Sequence, residues 1–132
     1  MSQATKIVIK IMKKLLLALM FLSPFSFADW GDVYYCQMTN FSEVSLEGKR
    51  KDYILEKFQF KLDKTKKAMV FGSSGYFQKT EAKLTPDRHW PAIEKWYAYG
   101  NFDVYYFDEG KFLFVSTGIT GSDSVSADCD KF

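Results

Sequence analysis

Lys57-Phe58-Gln59-Phe60-Lys61-Leu62 decides the fold, because polar and apolar residues alternate along it without a break. Successive side chains of a β-strand point to opposite faces, so Phe58, Phe60 and Leu62 share one face. The stretch therefore predicts a half-buried strand. A polar turn follows it, and Ala68-Met69-Val70-Phe71 predicts the strand that returns.

The rest of the chain repeats this pattern at intervals of about ten residues. Glu47-Gly48 and Glu109-Gly110 predict hairpins closed by a type I turn and a bulge. An extended segment is expected to restart at Tyr76-Phe77. About eight strands then form an antiparallel meander, which closes into a small barrel or a two-sheet sandwich, in one domain at 29–132. Further strands are predicted at 32–38, 41–46 (pairing with 52–62), 102–107 (pairing with 111–116) and 124–129.

Residues 85–99 fit two structures. Thr85-Pro86 and Trp90-Pro91 are typical of helix starts, with proline in the first turn. Lys95-Trp96-Tyr97-Ala98-Tyr99, however, is also an aromatic-rich strand. We expect a loop or helical turn at 85–92 and a strand at 94–99.

Residues 1–28 have the pattern of a secretory signal peptide. Lys13-Lys14 precede eight apolar residues, and small residues lead to a cleavage site after Ala28. A membrane anchor is the alternative, but eight helical residues rise only about 12 Å against a hydrocarbon core of about 30 Å. We expect a bacterial protein that is periplasmic or secreted, with no membrane span after cleavage.

The charge of the chain changes sign when that segment is set aside. The full chain carries 18 basic and 16 acidic residues, a net charge of +2. Four of the basic residues and none of the acidic ones precede residue 29, so the remainder has 14 basic and 16 acidic residues and a net charge of −2. Because a nucleic-acid-binding domain needs a basic surface, we expect no nucleic-acid partner.

Cys36 and Cys129 are the only cysteines. In an oxidising compartment two thiols in a small domain predict a disulfide, here between the first and last strands. A redox-active pair is usually spaced Cys-x-x-Cys, and a zinc site needs clustered ligands, whereas His89 is the only histidine. We expect a structural disulfide and no metal.

No motif predicts catalysis. His89 lies between two prolines, where it is either a base in a rigid loop or, as is commoner, a surface histidine in a turn. Ser73 and Ser74 lack the Gly-x-Ser-x-Gly spacing of a nucleophile elbow, and the same glycine-rich stretch lacks the lysine of a phosphate-binding loop. We therefore expect a protein that is not an enzyme and has no cofactor.

The strands of the C-terminal half are apolar on both faces. Phe112 and Phe114 share one face of their strand, and Leu113 and Val115 share the other. A second apolar face is either covered or binds something, and loop 85–92 is the alternative cover. Otherwise these strands bind a small molecule, glycan or protein of the cell envelope through residues of the types enriched at recognition surfaces. The candidates are Trp96, Tyr97, Tyr99, Tyr105, Tyr106 and Phe107, with Tyr34 and Tyr35 as further members of an aromatic wall.

Tyr35-Cys36, Ser74-Gly75-Tyr76 and Cys129 support a second functional hypothesis. In layout, a short exported β-domain with these features resembles the periplasmic inhibitors of C-type lysozyme. The resemblance implies a small antiparallel barrel whose loop side chains enter the lysozyme cleft, with Ser74 and Lys79 as the inserting residues. The Trp-x-Lys-Gly stretch of those inhibitors is absent from the chain.

Overall fold

A computed structural model describes residues 28–85 and 96–132, together with Lys6 and Lys10. Residues 1–27 of the predicted export signal and the predicted loop at 86–92 lie outside this part. Within 28–85 and 96–132 the chain forms strands and no helix, which confirms the all-β prediction. The strands are β1 (Val33–Ser45), β2 (Arg50–Asp52), β3 (Lys57–Asp63), β4 (Ala68–Phe71), β5 (Glu81–Lys83), β6 (Trp96–Tyr99), β7 (Asp103–Asp108), β8 (Lys111–Thr117) and β9 (Gly121–Lys131).

The strands form one antiparallel sheet in the order β5-β4-β3-β1-β9-β8-β7-β6, and β2 pairs separately with β1. The two ends of the sheet approach each other through a bridge between Leu84 and Ala98. Close by, the Thr85 N–H donates to the Tyr97 carbonyl at 2.7 Å. The architecture is therefore a nearly closed eight-stranded barrel, one of the two predicted alternatives.

The disulfide is confirmed. Cys36 and Cys129 lie directly opposite each other where β1 pairs with β9, and their Cα atoms are 4.0 Å apart. It joins the first strand of the domain to the last, which are neighbours in the middle of the sheet.

The inward faces of the strands fill the barrel. Phe58, Phe60 and Leu62 are 7%, 1% and 0% exposed, as their alternation predicts. β8 contributes Phe112 and Phe114 from the opposite wall. Ten aromatic side chains are buried in this core: Tyr34, Phe41, Phe58, Phe60, Phe71, Phe77, Tyr105, Phe107, Phe112 and Phe114. The largest fully buried side chains are Phe60, Phe107, Phe112, Met38, Leu62, Met69 and Val125.

Two predicted strand boundaries in the first half were wrong. The segments 32–38 and 41–46 belong to the single strand β1, because a bulge between Met38 and Asn40 absorbs the change of register against β9. The predicted partner strand 52–62 is interrupted instead. Residues 53–56 separate β2, which pairs with the end of β1, from β3, which pairs with its beginning.

The two predicted type I hairpins differ. The Gly48 N–H donates to the Ser45 carbonyl at 2.9 Å and Gly48 has φ +80°, as expected for a type I turn with a bulge. In the β7–β8 hairpin, Asp108 pairs directly with Lys111, and both intervening residues have positive φ. This two-residue loop has the φ signs of a type I′ turn, whose twist matches that of the strands, so the type I prediction was wrong there.

The predicted extended segment at Tyr76-Phe77 was also wrong. Residues 76–79 form a turn, and Phe77 is 2% exposed. Its ring lies 4.9 Å from Phe71 and 5.1 Å from Phe114, centroid to centroid. Because the core accepts this aromatic side chain from the loop, residues 72–80 fold over the barrel rather than continuing as a strand.

Candidate binding surfaces

The predicted binding residues divide between the two sides of the barrel wall. Tyr105 and Phe107 are 7% and 0% exposed and lie inside, so neither is available to an external partner. Tyr97, Tyr99 and Tyr106 have the opposite strand parity and lie outside. The predicted binding residues therefore do not form one site, because side chains alternate along β7 between the inside and the outside of the barrel.

Trp96 belongs to neither outer surface. It pairs with Phe107, on the inward side of β6, and is half-buried against the core. Its ring meets Trp30 edge-on, with centroids 4.9 Å apart. Its Nε1 atom is buried without a hydrogen-bond partner within the part of the chain that the structure describes. The two tryptophans close one end of the barrel.

The outward residues of β6, β7 and β8 form a continuous surface, which we call the aromatic face. Strand pairing aligns them in two rows across three strands. Tyr99 is 59% exposed, Leu113 41% and Val104 39%. The first row is Tyr97, Tyr106 and Leu113, and the second is Tyr99, Val104 and Val115.

The tyrosine rings of the aromatic face contact one another. Tyr97 and Tyr99 have parallel rings with centroids 6.2 Å apart, and Tyr106 meets Tyr97 edge-on at 4.9 Å. The Tyr106 hydroxyl donates to Asp108 Oδ2 at 3.3 Å. These contacts restrict the rings, so a partner has less side-chain entropy to overcome than with isolated tyrosines.

A concave surface of a different kind lies on the other side of β9. We call it the polar groove; it has a volume of about 690 Å³. The outward side chains of β3, β1 and β9 form its floor, and Gly72, Ser73 and Ser74 form a wall. Strand pairing arranges the floor as one row of Gln59, Tyr35 and Asp130 and a second row of Lys57, Gln37 and Asp128.

The wall of the polar groove is fixed to the barrel. Phe77 anchors the 72–80 loop in the core, and the Tyr76 hydroxyl donates to Asp123 Oδ2 at 3.0 Å. The Tyr76 N–H also donates to Glu56 Oε2 at 2.9 Å. Burial, assisted by the bond to Asp123, raises the pKa of Tyr76 and keeps this donor protonated. The groove is therefore preformed.

Glycine at position 72 lets the loop approach the floor. A Cβ atom at this position would lie 3.0 Å from Gln59 Cγ, and the Gly72 N–H donates to the Gln59 carbonyl at 3.0 Å. A larger residue would push Gln59 aside or lift the loop. The width of the groove at this point thus depends on a glycine.

Two interior tyrosines have perturbed ionisation. Burial raises the pKa of Tyr105 to about 12, with a smaller contribution from Asp103. Burial likewise raises the pKa of Tyr34 to about 12, assisted by Asp32. In both cases the pKa is raised because a charged phenolate is unfavourable among apolar neighbours.

The described residues offer no metal site, since no group of three or more His, Cys, Asp or Glu side chains is arranged to hold an ion. His89 lies outside them. Ser73 and Ser74 are exposed in a bend. Among the described residues, no helix is long and apolar enough to cross a membrane.

Comparison with known proteins found no matching family model, no matching curated protein and no matching solved structure. The fold and the two surfaces define the class of the protein on their own. It is a small disulfide-linked antiparallel barrel with a filled interior, an aromatic outer face and a polar outer groove. Among the described residues, the interior of the barrel is occupied by the chain's own buried side chains.

Sequence reasoning missed the polar groove. It placed Tyr35 in an aromatic wall and did not connect this residue with Asp128 or Asp130. The pairing of Cys36 with Cys129 could have predicted the floor of the groove. In an antiparallel pair it sets Tyr35 opposite Asp130 and Gln37 opposite Asp128. The contribution of residues 72–74 depends on the fold of their loop, which alternation does not reveal.

Proposed function

We propose that the protein is a non-enzymatic binding domain of the bacterial cell envelope that docks a protein partner on its aromatic face. One observation carries the proposal: outward apolar side chains are in register on three adjacent strands, although the interior is already filled by the inward ones. Tyr99, Val104 and Leu113 remain substantially exposed. An apolar patch of this kind is typical of an interaction site.

The side chains favour a protein over a sugar at this face. Val104, Leu113 and Val115 occupy the positions across the strands from the tyrosines, so the middle of this face is aliphatic. Tyr97 and Tyr99 lie parallel to each other in adjacent outward positions, which leaves less ring surface for stacking. Tyrosine beside aliphatic side chains is instead the composition of the centre of protein interfaces.

Export is part of the proposal. Residues 1–28 act as a cleaved signal peptide, and the Cys36–Cys129 disulfide is consistent with an extracellular or periplasmic location. Sequencing of the mature protein should find Asp29 at its N-terminus. A mature chain that retains Lys13 and Lys14 would contradict this part.

Photo-crosslinking in the native cell tests the docking proposal. A benzoylphenylalanine introduced at Tyr99 should give one adduct of defined mass, because position 99 lies within the proposed interface. The same residue at Lys61, which is exposed on β3 in the polar half of the barrel, serves as the matched control and should not give that adduct. Val104→Thr with Leu113→Thr should reduce the adduct at position 99 at least tenfold, since it removes apolar contact area.

Two results would contradict docking on the aromatic face. One is the absence of any adduct from position 99 when the protein is present at its normal level. The other is the same adduct in equal yield from positions 99 and 61, which shows non-specific contact. Threonine is itself β-branched and suits a strand, so loss of folding is not expected to account for loss of the adduct.

Inhibition of C-type lysozyme is the second candidate. Ser74 and Lys79 both lie exposed on the 72–80 loop, which is held firmly enough to insert into a cleft. If this is the function, excess protein suppresses cell-wall lysis by a hen-type lysozyme, and Ser74→Trp weakens the effect. Unchanged lysis at excess protein excludes this candidate and leaves the aromatic-face proposal intact.

A further inference from the structure

We propose that the polar groove is a second binding site, which takes an uncharged or amino sugar in pyranose form. Its volume of about 690 Å³ lies within the range of small-molecule sites, about 300 to 1,000 Å³. Its residues lie on β1, β3 and β9 and on the loop after β4, apart from the aromatic face of β6–β8. This site does not depend on the docking of a protein partner.

An aromatic ring lies at the centre of one row of the floor. Tyr35 is 47% exposed and pairs with Gln59 on one side and Asp130 on the other. Neighbouring strands are about 4.8 Å apart, so an amide and a carboxylate flank the ring at distances comparable to the width of a pyranose. The C–H face of a sugar ring packs on an aromatic ring while its hydroxyls reach polar groups at the sides.

The Tyr35 ring is held in place. Phe132 meets it edge-on with centroids 5.4 Å apart, and the Phe132 N–H donates to the Val33 carbonyl at 2.9 Å. This contact restricts the Tyr35 ring on one side, and a ring that is restricted before binding loses less freedom on binding. The contact between Tyr35 and Phe132 does not contribute to the core, because both rings lie outside the barrel.

The second row supplies groups that suit hydroxyls. A sugar hydroxyl both donates and accepts, and an amide or a carboxylate beside it satisfies one or both functions. The Gln37 amide nitrogen donates to the carbonyls of Met38 at 3.2 Å and Glu56 at 3.4 Å, which orients its side chain. Ser73 and Ser74 add hydroxyls from the wall.

The charge at the Asp130 side of the groove disfavours an anionic ligand there. Asp128 and Asp130 face it with Lys57 as the only cation of the lining. Lys111 pairs with Asp128, whereas Asp130 has no ion pair within the described residues. A phosphate or sulfate group placed beside Asp130 would therefore meet an unpaired carboxylate, whereas an amino group there would be attracted.

Titration of the purified, ¹⁵N-labelled protein with trisaccharides tests the site by amide chemical shifts. The probes are maltotriose, the β-1,4-linked trimers of N-acetylglucosamine and of glucosamine, and sucrose octasulfate as the anionic comparison. We expect at least one uncharged or amino trisaccharide to shift the amides of Gly72 and Ser73 at millimolar concentration. Tyr35→Ala should weaken this binding about tenfold, because it removes the stacking surface. Tyr99→Ala, the matched change on the aromatic face, should leave it unchanged.

Three outcomes would overturn the proposal. In the first, no uncharged or amino trisaccharide shifts the groove amides. In the second, the shifts are the same in wild type and in both Tyr35→Ala and Asp130→Asn, variants of exposed residues that are expected to fold. In the third, sucrose octasulfate binds the groove more tightly than the uncharged sugars. None of these outcomes bears on crosslinking at position 99, so failure of one proposal is distinguishable from failure of the other.

Discussion

The aromatic face and the polar groove lie on the same barrel. The inward residues beneath them are alike, and the outward residues differ. On β3 the inward Phe60 alternates with Gln59 and Lys61, and on β8 the inward Phe112 alternates with Leu113. The inward side chains are large and apolar in both regions because the fold needs them there. The core does not constrain the outward positions, so under the two binding proposals their difference reflects the ligand of each surface.

The largest effect is expected from the disulfide, which holds β1 and β9 together under the polar groove. Replacing Cys36 and Cys129 by alanine releases a constraint across 93 residues of sequence. The chain-entropy estimate for a loop of that length is about 4.6 kcal/mol. Urea unfolding of the double variant should show a loss of this order. A loss below about 1 kcal/mol would mean that β1–β9 pairing alone fixes the two ends of the chain.

Next in size are the inward aromatic residues, where the two regions should behave alike. Phe60→Ala beneath the groove side and Phe112→Ala beneath the aromatic face should each cost about 4 kcal/mol, because each leaves a cavity among buried rings. Urea unfolding measures both. If one variant costs less than half as much as the other, the interior is not equally packed on its two sides.

A smaller effect is expected from the ionisation of Tyr105. Its folded-state pKa of about 12 lies above the unfolded value of 10.0, so the stabilisation is fully present below pH 10 and is lost as the pH rises towards 12. Wild type should lose on the order of 2 kcal/mol more than Tyr105→Phe by pH 12. Urea unfolding at neutral and alkaline pH measures the difference.

Tyr99→Phe is the control for that experiment, because Tyr99 is on the outside of the same sheet. It should follow the wild-type loss of stability with pH. If Tyr105→Phe and Tyr99→Phe show the same alkaline loss, the Tyr105 hydroxyl does not lie in the apolar interior.

The inner faces and the disulfide were predictable from the sequence because both depend on local rules. Alternation placed Phe58, Phe60 and Leu62 inside, and the expectation of an oxidising compartment paired Cys36 with Cys129. The outer surfaces were harder, because they depend on which strands become neighbours. β9 lies between β1 and β8, which separates the aromatic face from the groove.

Local rules also failed where tertiary packing overrode them. Phe77 leaves an apparently extended segment to fill the core, and Glu109 adopts φ +47° to close a two-residue hairpin. The candidate set from Trp96 to Phe107 mixed inward and outward residues, because an aromatic-rich strand has no polar face to mark its outside. The inward and outward faces of such a strand can be assigned only when its neighbouring strands are known.

The central claim is that the outward apolar residues of β6–β8 serve binding and not stability. The unfolding free energy of Tyr99→Thr, Val104→Thr, Leu113→Thr tests it most directly. We expect the triple variant to lose less than about 1 kcal/mol, since these residues lie outside the core, are 59%, 39% and 41% exposed, and Thr suits a strand. A loss of about 3 kcal/mol or more, comparable to Phe112→Ala, would show that another part of the chain packs on this face, and the docking proposal would fail.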